Sequence, residues 1–373
     1  MYKMKNKIKK ILYLTGTRAD YGLMRSALLG LNKICDLRLI VTGMHLEKKF
    51  GMTVNEIKKD KLKILAEIKL PVEHKTHADM ASNFGYLVLR LSKIIKPHQF
   101  DICLVEADRF EDLAMAMVAK QNNIPIFHQG GGDKSGGIDD SIRWAITSFA
   151  DIHFPGNIES AGRLKKFGIS SKNIFMFGEP GLDDISQKKY LQPAAVYRKY
   201  GIDRKKKLVL FTMHPDTLSG ISPKKQIDPM LNIIKKLALP TIIIYPNNDT
   251  GGLEMIVEIE KLRHLPFVKI HKSLPHADFL GVLNICDIFL GNSSSGLTEA
   301  AFMNMPFINI GDRQQGRLCD ANVTHASLSE KRIAEAVKSN LDKKGKFKIK
   351  NVYGCGEFTP KFINFIKNYA RNR

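Results

Sequence analysis

Two polar turns within residues 105–147 carry the residue types that move protons. The apolar run Ile102–Val105 ends in Glu106, Asp108 and Arg109, and the run Ile124–Phe127 opens into His128-Gln129-Gly130-Gly131-Gly132-Asp133. A carboxylate can serve as general acid or base, and a neighbouring arginine can hold the anionic part of a substrate. A helical pattern (Leu113, Ala116, Met117) separates the two runs, so the order is strand, charged turn, helix, strand, glycine-rich turn. In open parallel α/β sheets ligands bind beyond the carboxyl ends of the strands, where both turns fall.

Other turns offer complementary chemistry. Thr15-Gly16-Thr17-Arg18-Ala19-Asp20-Tyr21-Gly22 follows an apolar run and precedes a helical pattern. Gly16 permits a tight bend and a helix N-terminus favours anions. Arg18 suits a phosphate or carboxylate, or else a surface pair with Asp20. The turn is not GxGxxG, which disfavours a dinucleotide fold. Gly291-Asn292-Ser293-Ser294-Ser295-Gly296 exposes backbone N–H groups to a diphosphate, and Glu299 one turn later suits a ribose diol. A plain serine N-cap would look much the same. His214 and Asn247 end two further apolar runs, and His214 divides between a ligand contact and a packing role. His45, His74, His271 and His276 read as packed or surface residues. Arg313 and Arg317 place two cations near the serine turn, with a surface role the alternative.

These turns need a scaffold, and the runs between them supply one. Strand-like segments at 9–15, 37–42, 102–105, 124–128, 152–154 and 174–177 are followed by 207–213, 241–246, 268–270, 288–291 and 307–310. Alternation with helical patterns predicts parallel sheets with right-handed crossovers. The polar stretch Asp183–Lys206 divides them. The expected fold is therefore α/β, with two facing doubly wound domains. Residues 1–185 form the first domain and residues 186–357 the second, and an amphipathic helix within 358–373 packs back on the first.

At 373 residues the chain exceeds what a single core supports, in keeping with two domains. Five well-separated cysteines show no zinc or CxxC spacing, which predicts structural thiols, with Cys103 and Cys286 in the core, and no metal. The basic start MYKMKNKIKK reads as a solvated arm, because the apolar run after it is shorter than the ~7–15 residues of a signal core. No apolar run reaches the ~18 residues of a membrane span. The expectation is a cytoplasmic protein without a membrane or redox-cofactor partner. A net charge of +21 raises nucleic-acid binding, but the lysines are scattered, with little aromatic interleaving and no recognition motif. That pattern favours a solvated surface whose field attracts an anionic substrate.

Taken together, the motifs resemble those of the hydrolysing UDP-N-acetylglucosamine 2-epimerases of sialic-acid biosynthesis. They run in order through TGTRADYG (15–22), DRFE (108–111), IDDSIR-AIT (138–147), PGLD (180–183), HP (214–215), PNND (246–249), GNSSSGLTE (291–299), RQQGR (313–317) and YGCG (353–356). The resemblance implies two Rossmann-like domains in the glycosyltransferase-B arrangement, the sugar and catalytic side on residues 1–185 and the nucleotide side on residues 186–357, and a homo-oligomer, dimer or tetramer. It also implies elimination of UDP to a 2-acetamidoglucal, followed by addition of water to give a free manno-configured N-acetyl sugar. Such chemistry needs two carboxylates flanking the ring. By the resemblance Asp108 is one catalytic carboxylate and His214 matches a nucleotide-holding position; with Asp133 as a candidate for the second carboxylate, the expected catalytic set is Asp108, Asp133 and His214. The substrate-binding set is Arg18, Arg109, Asn247, Ser294, Ser295, Gly296, Glu299 and Arg313, with no cofactor.

The departures from the family pattern cluster on the sugar side. A family His-x-Glu-Gly-Gly-Glu turn reads HQGGGD, so Gly130 stands in the place of a catalytic glutamate. Trp144 replaces the histidine of DSIRHAIT, and Ala107 the glycine of GDR. Three functions accommodate this. Asp133 or Glu106 supplies the missing acid/base group, on UDP-N-acetylglucosamine or a related UDP-2,4-diacetamido-trideoxyhexose; the protein binds such nucleotides without turnover; or it is a glycosyltransferase of the same fold. Asp133 or Glu106 facing the cleft beside Asp108 would favour the enzyme, and Trp144 filling the sugar pocket would oppose it. Asp139 and Arg143 also have a purely structural reading, as helix N-cap and i,i+4 partner.

Overall fold

A computed structural model describes residues 10–106 and 108–369 of the chain. The basic arm at 1–9 and the family-divergent Ala107 lie outside the described residues. The first sheet holds β1 (Lys10–Thr15), β2 (Asp36–Thr42), β3 (Ile64–Ile68), β4 (Ile102–Glu106), β5 (Ile126–Gln129) and β6 (Ile152–Phe154). The second holds β7 (Val209–Thr212), β8 (Thr241–Ile244), β9 (Val268–His271), β10 (Ile288–Gly291), β11 (Phe307–Ile310) and β12 (Val323–Ala326).

The strand orders are β3-β2-β1-β4-β5-β6 and β12-β11-β10-β7-β8-β9, all parallel. Read from opposite edges these are one topology used twice. Each order reverses between its first and fourth strands, at β1/β4 and at β7/β10, and the crevice at such a switch point is where doubly wound sheets bind ligands. The central strands β4, β5, β7, β8, β10 and β11 are buried along their whole length, so they read as unbroken apolar runs with helices on both faces.

Three strand expectations need correction. The segment 174–177 is not a strand: Ile174 makes one isolated bridge to His153, while Phe175 and Phe177 pack into an aromatic cluster. β3 and β12 went unforeseen because each lies at a sheet edge and is mostly half-exposed, which dilutes the apolar signal. The last helix, Phe358–Tyr369, crosses back to the helix Arg18–Asn32 of the first domain. There Phe358, Phe362 and Ile366 are buried, and Phe362 meets Phe154 edge-on at 5.1 Å. Cys103 and Cys286 are buried free thiols. No helix among the described residues is long and apolar enough to cross a membrane.

Candidate active site in the interdomain cleft

The strand ends at the two switch points face each other across a cavity of about 230 Å³, lined by both domains. The first domain contributes Arg18, Glu106, Asp108, Arg109, Gly130, Asp133, Asp139, Arg143 and Glu179. The second contributes His214, Asn247, His276, Ser294, Ser295, Glu299, Arg313 and Arg317.

The turn after β1 is built by its helix cap. Thr17 and Asp20 form a capping box, and the Asp20 carboxylate also receives the Gly16 and Thr17 amides at 3.0 and 2.9 Å. Asp20 is thereby occupied, and Arg18 reaches across the cleft to the Tyr245 and Lys272 carbonyls, both at 2.6 Å. Burial lowers the Arg18 guanidinium to about 10. Arg109 spans the cleft too, bonding the Asn248 side-chain oxygen at 2.9 Å and Asp249 at 3.2 Å, with Glu111 behind it at 3.2 Å. These two arginines tie the domains together across the ligand space.

Arg143 organises the acidic residues beyond β4 and β5. Its side chain is only 2% exposed and pairs with Asp108, with Asp140 at 3.0 Å and with the Asp133 carbonyl at 3.1 Å. The expected Asp139–Arg143 pair is absent. Gly137, not Asp139, caps the helix Ile138–Phe149, which puts Asp139 on the cleft side, 3.5 Å from Arg313 of the other domain. Burial, and then Asp108 and Asp249, raise the Asp139 carboxyl to about 7, against Arg313 and Arg109. Ionising it therefore costs the folded state: relative to an asparagine the cost is absent below the unfolded-state pKa of ~3.9, grows as pH rises towards about 7 and is complete above it. We expect Asp139→Asn to gain thermal stability over the parent at pH 8 and to lose most of that gain at pH 5, as read by melting curves at the two pH values.

Asp133 lines the cleft, but its carboxylate pairs with Arg317 and lies 3.6 Å from Arg163. Burial pushes its carboxyl up, and Arg317 and Arg143 overcome that to hold it below the ordinary carboxylate range. An aspartate so held suits a fixed counter-ion better than a proton donor. Glu106 is also in the wall, and burial together with Asp20 and Asp108 pushes its carboxyl well up. Trp144 stays off the cleft wall and packs on Phe167 with ring centroids 4.8 Å apart. Gly130 has φ +78°, a left-handed conformation that disfavours any side chain, so the turn itself calls for glycine there.

On the opposite wall the His214 ring accepts the Asn247 amide through Nδ1 at 3.0 Å. That bond leaves Nε2 as the proton-bearing nitrogen of the neutral ring. Burial and the nearby Arg313 hold the imidazole well below its ordinary pKa, so His214 offers the cleft a neutral N–H. Ser294 and Ser295 sit half-exposed in a short 3₁₀ turn at the end of β10, bordering the cavity. Arg313 bonds the Asn292 carbonyl at 3.3 Å, which fixes it beside this turn. Buried Glu299 receives the Thr298 hydroxyl.

Gly296 corrects one expected contact. It lies behind the turn, its amide bonded to Ser293 at 3.1 Å, and a Cβ there would sit 2.3 Å from the Phe307 ring. It is a glycine for packing, outside the cavity wall. Conversely, Arg143, Arg317, Asp139, His276 and Glu179 line the cleft without having stood in the expected set. The quoted IDDSIR and RQQGR motifs contained the signal for Arg143, Asp139 and Arg317. Nothing in the local sequence of Glu179 or His276 set them apart. Among the described residues, no group of three or more His, Cys, Asp or Glu is arranged to hold a metal ion.

Two doubly wound domains, with one cleft lined by carboxylates and arginines of the first and by histidines, serines and arginines of the second, define the class: a two-domain Rossmann-like protein of the glycosyltransferase-B architecture. The family described as UDP-N-acetylglucosamine 2-epimerase matches residues 29–367, and the chain belongs to it. It is 37% identical over 362 residues to the UDP-N,N'-diacetylbacillosamine 2-epimerase (hydrolyzing) of Legionella pneumophila, covering 96% of each chain. It is 30% identical to the UDP-N-acetylglucosamine 2-epimerase of Neisseria meningitidis serogroup B, over 97% of this chain and 96% of that one. The fold matches the Methanocaldococcus jannaschii UDP-GlcNAc 2-epimerase in complex with UDP-GlcNAc and UDP, with a TM-score of 0.81 at 18% identity, over 96% of this chain and all of that one.

Proposed function

We propose that the chain is a hydrolysing UDP-sugar 2-epimerase supplying a manno-configured N-acetyl sugar for nonulosonic-acid synthesis. The observation that carries this is the polarity of the cleft. Asp108, Glu106 and Arg143 come from the first domain, while His214, Ser294, Ser295 and Arg313 come from the second. An elimination needs both: a base for the weakly acidic C2 proton and donors for the charge that develops on the departing diphosphate.

In this reading Asp108 takes the C2 proton and Arg143 holds its carboxylate in place. The neutral His214 N–H, the serine hydroxyls and Arg313 receive the diphosphate, Glu299 the ribose diol and Asn247 the uracil side. Arg18 and Arg109 close the domains over the sugar. Asp133 serves by fixing Arg317. The name of the relative at 37% identity supports a UDP-2,4-diacetamido-trideoxyhexose as substrate, with UDP-N-acetylglucosamine the simpler alternative.

The test of the nucleotide seat is calorimetry with UDP, combined with UDP-release assays on both sugars. A hydrogen bond to a charged group is worth ~1.5–3 kcal/mol, so His214→Ala should weaken UDP binding by about 10–100-fold. Parent-like affinity in that variant, or no UDP release from either sugar by the parent, would count against the proposal.

A further inference from the structure

We propose that Glu179 is the second acid/base residue of the cleft, standing where the missing side chain at Gly130 would have acted. The inference rests on the epimerase function proposed above. Its geometric basis is a short chain of contacts. The Gly130 amide bonds the Phe154 carbonyl at 3.0 Å, which ties the turn after β5 to the end of β6. Two residues beyond Phe154, a Cβ built on Gly156 would sit 2.0 Å from the Glu179 Oε1. The Glu179 carboxylate therefore rests against the Gly156 backbone, beside the Gly130 turn, in space that only a glycine at 156 leaves open.

The backbone beneath this carboxylate is fixed. The Glu179 amide bonds the Tyr353 carbonyl at 2.9 Å, and Gly178 before it, at φ +89°, packs against the same carbonyl. By contrast the carboxylate itself has no hydrogen-bond or ion-pair partner among the described residues, and it borders the cavity. Of the other cleft acids, Asp108, Asp133 and Asp139 are each paired with an arginine, Glu299 receives the Thr298 hydroxyl, Asp20 the amides of its own turn and Glu56 the His276 backbone. Glu106 is unpaired too, but it ends β4 two residues before Asp108 and is 5% exposed. It belongs to the same strand end as the proposed base, whereas the second proton must reach C2 from the other face. Glu179 comes from a different segment, above the ends of β5 and β6.

The charged groups around Glu179 are Asp133, Arg317, Glu299 and Arg143. Burial, then Asp133, raise its carboxyl to about 7, with Arg317 and Arg143 opposing. Near neutral pH it can thus hold a proton and give it up. In the first half-reaction the Asp108 carboxylate takes the C2 proton, the C1–O bond breaks, and UDP leaves with the electron pair as the C1=C2 bond forms. In the second, Glu179 gives its proton to C2 from the opposite face while water attacks C1. The water proton returns to the Glu179 carboxylate, and the proton on Asp108 passes to solvent.

The experiment follows UDP, glycal and free sugar by NMR for the parent, Glu179→Gln, Gly156→Ala and Glu106→Gln, with UDP affinity measured for each. Glu179→Gln should still release UDP but accumulate the acetamidoglucal, with free sugar formed at least ~100-fold more slowly. Gly156→Ala should do the same, because the new methyl displaces a carboxylate that is still present. UDP affinity within about threefold of the parent in both variants would exclude a folding defect. Free sugar at a parent-like rate from Glu179→Gln, or glycal accumulation in Glu106→Gln alone, would overturn the inference. A parent enzyme that releases no UDP would instead overturn the epimerase proposal beneath it.

Discussion

Asp108→Asn should lower kcat by about 10²–10⁴-fold while leaving UDP affinity within a few-fold of the parent. Asp108 lies beyond the end of β4, in the first domain, whereas the groups assigned to the diphosphate come from the turns after β7, β8 and β10. The asparagine keeps the shape and a hydrogen-bond partner for Arg143 but cannot accept the C2 proton. The deficit should therefore appear in kcat and not in nucleotide binding, and steady-state kinetics with calorimetry would measure both. A variant that lost UDP affinity in step with activity would show Asp108 to be part of the nucleotide seat or of the fold.

Arg143→Met should produce the largest loss of stability of any single cleft substitution. Methionine fills much of the same volume but leaves the Asp108 and Asp140 carboxylates and the Asp133 carbonyl without their shared cation. Breaking a buried ion pair by removing one partner costs ~3–5 kcal/mol. Because Asp108 and Asp140 are 22% and 29% exposed, the lower end applies. For a domain of this size ~3 kcal/mol corresponds to a fall in Tm of about 6–12 °C. Arg143→Lys should fall between parent and Arg143→Met, since one ammonium cannot reproduce the two-pronged guanidinium contact. Melting curves near pH 7 check both, and a drop of under ~2 °C for Arg143→Met would show the network to be solvated.

Much of this architecture was legible because buried parallel strands must be apolar throughout. β4, β5, β7, β10 and β11 announced themselves, and the polar residues at their carboxyl ends marked the cleft. What escaped did so for physical reasons. The edge strands β3 and β12 carry half-exposed residues, and Phe175 and Phe177 are apolar for the sake of an aromatic cluster rather than a sheet. Within the site, side-chain partners depended on helix phase: the start at Ile138 turned Asp139 to Arg313 and left Arg143 to Asp140 and Asp108. Glu179 was the hardest to find. Its place depends on Gly156 and Tyr353, one 23 residues before it and one 174 after it, and no local pattern reports such contacts.

The most direct test of the central claim is proton exchange at C2. Incubating the protein in D2O with UDP-N-acetylglucosamine and with the 2,4-diacetamido analogue, and following both by NMR, reads bond breaking and configuration together. Released UDP with a manno-configured free sugar bearing deuterium at C2 is the predicted result. UDP bound tightly but never released, or sugar set free with its original C2 hydrogen and gluco configuration, would contradict it.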